Sequence, residues 1–277
     1  MTKNNKKKLN KKIFLWIGII GCLCVMVYSG YQIYDQTKEY VQGDAVYGSL
    51  REQIFSQRTV VVTEKRSEDG LLVKDGNAGD VLEGTEEVLV ELPGIDLAQL
   101  REVAPEAVGW IYSEGTTIDY PVMQARDNSY YLSHLYDGTR NKVGSIFLDF
   151  RNDPDFSNQN SVLYGHHMES GQMFASLEGY KKQSYYEEHS SLILFTHDAI
   201  YKIELIGGYV AENEKETLDL VYESDEDFLS FIKEVRERST FTANVEVNAE
   251  DKLLTMLTCT YDFLDSRYIL VGKMVKY

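Results

Sequence analysis

The chain has 277 residues and is 43% hydrophobic, which is enough apolar content for a folded core and excludes disorder throughout. Its net charge is −16, yet Lys3, Lys6, Lys7, Lys8, Lys11 and Lys12 all precede the first acidic residue, Asp35; without them 22 basic residues face 44 acidic ones, a net of −22. A folded surface of that sign repels phosphate backbones, so nucleic-acid binding is excluded as a class of function.

Ile13 to Tyr34 carries no charge and approaches the roughly 20 residues needed to cross a bilayer. A cleaved secretory signal shares the basic start and apolar middle, but no clear small-x-small cleavage site precedes Asp35. The expectation is a basic cytoplasmic tail over 1–12 and a single-pass anchor in the cell membrane over 13–34, with the remainder extracellular. Cys22 and Cys24 fall inside the apolar run, so Cys259 is the one cysteine of the exported portion. A disulfide-stapled scaffold is thereby excluded, and Cys259 is either a small buried hydrophobe or a reactive nucleophile.

Val46, Leu50 and Ile54 follow an i, i+4, i+8 spacing, which predicts a modest juxtamembrane helix from Asp35 to about Ser56, weakened by Gly43 and Gly48. Arg58 to Glu91 is acidic, dotted with glycine and poor in aromatics, the composition of an exposed spacer. Residues 35–87 therefore read as juxtamembrane helix and acidic spacer, and 88–277 as the compact domain. Asp96 is placed to cap a short helix through about Val103, ended by Pro105.

Short β-rich runs then recur: Val108 to Tyr112, Thr116 to Met123 with a break at Pro121, Val143 to Asp149, Ser161 to Gly165, Ser191 to Thr196, Ala199 to Ala211, Lys252 to Cys259 and Arg267 to Val275. Such a series predicts a mainly β barrel or sandwich. One helix interrupts it, with Ser224 as cap, Asp227 three residues on, and Phe228, Ile232 and Val235 along one face.

Cys259 ends an apolar run, where strand alternation groups it with Leu253, Thr255 and Leu257. If the run pairs with the one opening at Arg267 as an antiparallel hairpin, Arg267 returns beside Cys259. A guanidinium there can hold a carbonyl oxygen as sulfur attacks an amide. The bland alternative is a packed core thiol and an ordinary surface arginine, and spacing alone leaves both open. His166 follows a strand and Gly165, a placement that suits an exposed imidazole able to protonate a leaving amine. Its neighbour His167 points to the opposite face of an extended segment, which argues against joint metal chelation. His134, His189 and His197 lie in tyrosine-rich or acidic stretches with no nucleophile signature and read as structural.

The segment Thr255-Met256-Leu257-Thr258-Cys259, followed by Arg267, resembles the T-L-x-T-C signature and arginine of sortases, and Asn160 to His166 resembles the strand bearing the family histidine. Further likeness runs through Val108 to Ile111, Ile118 to Val122, Asp127 to Leu132 and Gly144 to Asp149. The helix at about Ser224 to Arg238 and the N-terminal helical segments are similar to class B in particular. Two departures stand out: Met256 replaces leucine with little change of volume, and Leu257 occupies a position where many class B members carry a small polar residue.

The resemblance implies a closed eight-stranded barrel with peripheral helices. It also implies a cysteine transpeptidase that cleaves a C-terminal sorting motif of secreted proteins through a thioacyl-enzyme. The acyl group would pass to an amine from a peptidoglycan precursor or a pilin. Cys259 would be the nucleophile, His166 the acid and then the base, and Arg267 the oxyanion donor. Asn128, Leu132, Tyr164 and Leu257 would line the peptide groove, with no cofactor or metal. A free thiol titrating at about 8.5 is only a few per cent thiolate at pH 7, so the family is understood to work through a small ion-pair fraction. Competing readings are a non-catalytic surface protein that binds peptides on the same barrel, and a cysteine hydrolase. In the latter, cysteine usually precedes histidine, the reverse of the order here.

Overall fold

The computed structural model describes residues 3–67, 85–212, 218–259 and 266–277. The chain divides into two compact units, Met1–Ala45 and Val46–Tyr277. A helix, α1, runs over Lys3–Ile54 and contains a stretch long and apolar enough to cross a membrane. In the second unit the end of α1 is a packed element: Tyr47, Leu50 and Ile54 are buried. Arg51 ion-pairs with Asp119 at 3.1 Å and lies over the Tyr120 ring. Complete burial of one such aliphatic side chain contributes about 1.5–3 kcal/mol.

β1 (Phe55–Ser67) and β2 (Thr85–Ile95) form an antiparallel pair, from Phe55 opposite Ile95 to Ser67 opposite Thr85. The spacer expected over much of this span is thus strand wherever it is described, while its middle, 68–84, lies outside the described residues. Charge content concealed the β-branched runs Thr59 to Thr63 and Val88 to Val90. Glu64 is buried and is held by Lys202 at 2.9 Å and by the Tyr277 hydroxyl at 2.7 Å. α2 (Leu97–Val103) follows, with the Asp96 carboxylate accepting from the Gln99 N–H at 2.9 Å, a formed N-cap.

The remaining strands are β3 (Ala107–Tyr112), β4 (Asp119–Met123), β5 (Ile146–Leu148), β6 (Asn160–Tyr164), β7 (Ser191–Thr196), β8 (Ile200–Glu212), β9 (Lys252–Cys259) and β10 (Ser266–Lys276). They close a barrel in the order β10-β8-β7-β3-β4-β5-β6-β9, the eight-stranded architecture expected. Pairs β4/β5 and β6/β9 are parallel and the rest antiparallel. Pro121 does not end β4: β5 pairs only with Val122 and Met123, so the proline sits where β4 has a single neighbour.

A short helix, α3 (Gln183–Glu188), precedes β7, and α4 (Asp225–Arg238) follows β8, with the Ser224 hydroxyl accepting from the Asp227 N–H. Phe228, Ile232 and Val235 of α4 are buried against Ile206, Tyr209 and Ile269 of the barrel. The helix can approach this closely because β8 carries Gly207, where a Cβ would fall 2.8 Å from Val235 Cγ1.

Candidate active site

Three adjoining strands, β6, β9 and β10, carry the residues that the sequence singled out. In the parallel pair β6/β9, Tyr164 stands opposite Leu257, and the Gly165 N–H donates to the Leu257 carbonyl at 3.1 Å. His166 follows one residue beyond. In the antiparallel pair β9/β10, Arg267 stands opposite Cys259. The ladder therefore brings His166, Cys259 and Arg267 to the same end of neighbouring strands, although nearly a hundred positions separate the first two. Asp262 and Asp265, in the connection between β9 and β10, lie outside the described residues.

His166 is half-buried, and its Nε2 lies 2.7 Å from the Leu132 carbonyl oxygen. A carbonyl only accepts, so Nε2 carries a proton and donates, and Nδ1 is the ring nitrogen left for acid–base chemistry. Leu132 closes a single 3-10 turn, Tyr130–Leu132, against which Gly144 is fitted. That glycine has φ +63, and a Cβ on it would fall 2.6 Å from the Tyr131 oxygen, 3.1 Å from the Leu132 oxygen and 3.1 Å from His166 Cδ2. The Tyr47 hydroxyl, from the end of α1, donates to the Gly144 carbonyl at 2.7 Å. The N-terminal helix thus contributes a hydrogen bond to the backbone behind the histidine.

The four groove residues implied by resemblance separate into three situations. Leu132 is 42% exposed. Asn128 and Tyr164 converge on Asp149: Asn128 Nδ2 and the Tyr164 hydroxyl donate to Asp149 Oδ2 at 3.0 and 2.9 Å. Asn128 Oδ1 also accepts from the Phe150 N–H, and the Tyr164 ring stacks on Phe147 with centroids 5.3 Å apart. Leu257 lies deeper, beside Tyr164. It is only 6% exposed and belongs to the apolar cluster beneath α4, because strand alternation turns it toward that helix.

Burial pushes the Tyr164 hydroxyl up to about 12, reinforced by the negative Asp149, while Arg151 and Arg267 oppose the shift. The Arg267 charge is therefore felt at Tyr164. Burial also pushes the Asp149 carboxyl up, but hydrogen bonds from Arg151, Tyr164 and Asn128 outweigh it and hold the group below the usual carboxylate range.

The other histidines are engaged elsewhere. His167 Nε2 lies 2.7 Å from Glu178 Oε2, with 11% of the side chain exposed. His134 stacks on Tyr130 and contacts its carbonyl, His189 contacts the Glu114 carbonyl, and His197 pairs with Asp198 at the surface. Asp149, Arg151 and Tyr47 escaped the sequence reading. An Asp closing an apolar strand with Arg two positions on was the available signal for the first two; nothing local links Tyr47 to Gly144.

A family model for the Sortase domain matches residues 111–275. Sortase B of Listeria monocytogenes is 32% identical over 182 residues, covering 65% of this chain and 74% of the relative. Sortase B of Staphylococcus aureus is 33% identical over 179 residues, covering 64% and 73%. Among solved structures, the Staphylococcus aureus sortase B–substrate complex superposes with a TM-score of 0.62 at 32% identity, over 65% of this chain and 85% of that one. Sortase B from Bacillus anthracis superposes with a TM-score of 0.68 at 27% identity, over 87% and 100%. With its barrel closed in this strand order and these relatives on both measures, the chain belongs to the sortase family of transpeptidases, in class B.

Proposed function

We propose that this chain is a membrane-anchored extracellular enzyme in which Cys259, His166 and Arg267 join a secreted protein's C-terminal sorting motif to an amine. The observation that carries the reading is the register that sets Arg267 opposite Cys259 and Tyr164 opposite Leu257 on adjoining strands. The apolar stretch of α1 supports the anchor, and the lysines before Ile13 support a cytoplasmic N-terminus.

In the first half-reaction the Cys259 thiolate attacks the carbonyl carbon of the scissile amide, and Arg267 donates hydrogen bonds to the oxygen as it gains charge. The C–N bond breaks, the leaving amine takes a proton from the His166 imidazolium, and a thioester remains on sulfur. In the second half, an incoming amine attacks that thioester, His166 accepts its proton, and the C–S bond breaks to restore the thiolate. With Nε2 donating to the Leu132 carbonyl, both proton transfers would run through Nδ1. Leu132, Asn128 and Tyr164 would border the peptide.

Staphylococcus aureus sortase B has been solved as a substrate complex, and sortase B has also been solved in complex with triglycine. A peptide and a short amine are the two reactant classes proposed for this chain, with a cell-wall cross-bridge or a pilin lysine as the natural amine. The test is mass spectrometry after incubation with a library of sorting-motif peptides. Wild type should gain one acyl mass on Cys259 that an added amine discharges, and Cys259→Ala should gain none. Turnover by the alanine variant would remove the enzyme assignment and leave the peptide-binding alternative.

A further inference from the structure

The geometry points to Asp149 as a positioning residue of this site: its buried carboxylate clamps the loop carrying Asn128 and Leu132 to the end of β6, which carries Tyr164 and leads to His166. The inference rests on the reading of His166 as the acid–base group and gives a role to a residue that the family likeness covered without assigning it one.

The Asp149 side chain is fully buried. Its two oxygens accept from five donors: Arg151 N, Arg151 Nε and Arg151 Nη2 at 2.9, 2.9 and 2.8 Å, Asn128 Nδ2 at 3.0 Å, and the Tyr164 hydroxyl at 2.9 Å. A carboxylate is the side chain able to accept that many bonds while donating none. Its backbone is pinned as well, since Asp149 N–H donates to the Val162 carbonyl and Gln124 Nε2 donates to the Asp149 carbonyl.

These partners are not scattered. Asn128 leads in four residues to Leu132, whose carbonyl receives the His166 Nε2 proton; Tyr164 leads in two residues to His166 itself. Asp149 thus joins the two backbone segments whose separation sets the 2.7 Å contact that orders the imidazole. The far end of the turn is held independently, by Ser145 N–H to the Tyr131 carbonyl at 2.9 Å. Asp149 secures the near end. Arg151, 47% exposed, balances the charge from the solvent side and leaves Oδ2 able to hold the two arms.

Replacing one carboxylate oxygen with an amide turns an acceptor into a donor facing donors. Both arms meet on Oδ2, so in Asp149→Asn the amide either takes the Oδ2 place and faces Asn128 and Tyr164, or takes the Oδ1 place and faces the Arg151 backbone N–H; either way buried donors face a donor and the clamp loosens.

The test uses the full chain in detergent and reads two quantities, steady-state peptide cleavage and the imidazole 15N shifts of His166. Wild type should show a fixed Nε2–H tautomer. Asp149→Asn should lower kcat by on the order of ten- to a hundredfold, the scale of a misplaced catalytic group, with KM little changed, and should average the tautomer signal. A merely structural Asp149 would lower the melting temperature while kcat of the folded enzyme and the tautomer stayed at wild type, and that result overturns the proposal. If Asp149→Asn does not fold, the double variant Asn128→Ala/Tyr164→Phe removes both arms and keeps the Arg151 pair. An unchanged tautomer and kcat in that variant overturns it equally. The 15N readout needs no turnover, so a wild type that proves inactive would sink the enzyme reading while the clamp is still judged.

Discussion

Arg267 is the direct antiparallel partner of Cys259, so the ladder between β9 and β10 places the two residues side by side whatever conformation the six residues between Cys259 and Ser266 adopt. This makes the backbone of Arg267 a fixture of the barrel wall. The planar fork of arginine can direct paired donors at one oxygen, whereas lysine is a point charge. Arg267→Lys should therefore lose roughly a hundredfold to a thousandfold in kcat, as for an oxyanion donor. Its thermal unfolding should stay near that of wild type. A lysine variant with near-normal kcat would move the oxyanion role to backbone N–H groups.

His166 and His167 are neighbours in sequence with different surroundings, one on the Leu132 carbonyl and the other on Glu178. His166→Ala should slow cleavage of an amide peptide by about a hundredfold or more, and a thioester substrate, whose leaving group needs no proton, should recover much of that loss. His167→Ala should instead cost on the order of 1 kcal/mol of stability through its half-buried hydrogen bond with Glu178 and leave turnover close to wild type. Equal damage to amide and thioester cleavage in His166→Ala would make it a structural residue.

All eight barrel strands were legible because each alternates or runs apolar between turn residues. The two caps at Asp96 and Ser224 were legible because capping is local chemistry. The hairpin of β1 and β2 was not: charges around Thr59 to Thr63 outweighed its β-branched content in a reading based on composition. Leu257 was placed at the groove by family likeness alone, and its burial beneath α4 depends on a helix that packs from elsewhere in the chain. The Asp149 clamp was beyond reach for a different reason. Its arms come from a loop, a strand end and a second strand end, and only the closed sheet shows that Asn128 and Tyr164 share one carboxylate.

The packing of Tyr47, Leu50 and Ile54 sets where a soluble form must begin. A chain starting just before Val46 keeps all three, whereas one starting at Val88 loses them together with the whole of β1. Loss of a buried Leu or Ile side chain costs about 2–5 kcal/mol, against a total stability of about 5–15 kcal/mol for an ordinary domain. The shorter chain should aggregate or melt far below the longer one by circular dichroism. Tyr47→Phe in the longer chain removes the hydrogen bonds to the Gly144 carbonyl and the Ser145 hydroxyl, each worth about 1 kcal/mol, and should lower kcat more than its loss of stability explains. Equal melting temperatures for the two chains would show the helix end to be dispensable.

The acid limb of stability should bear the mark of Asp149. Its carboxyl is held below the ordinary range in the folded chain, so the unfolded chain binds the proton more readily. The stabilisation is then fully present above the unfolded value of about 3.9 and is lost as pH falls from there through the lower folded value. Wild type should lose stability across that window as the five donors give up their acceptor. Asp149→Asn has no proton to take up at that position, so its stability should fall less steeply below about pH 4, while lying below wild type at neutral pH. Urea unfolding at a series of pH values measures both slopes. Parallel curves for the two proteins would mean that the Asp149 carboxyl titrates alike in the folded and unfolded chains, and that the hydrogen bonds from Arg151, Asn128 and Tyr164 do no more than offset the cost of burying it.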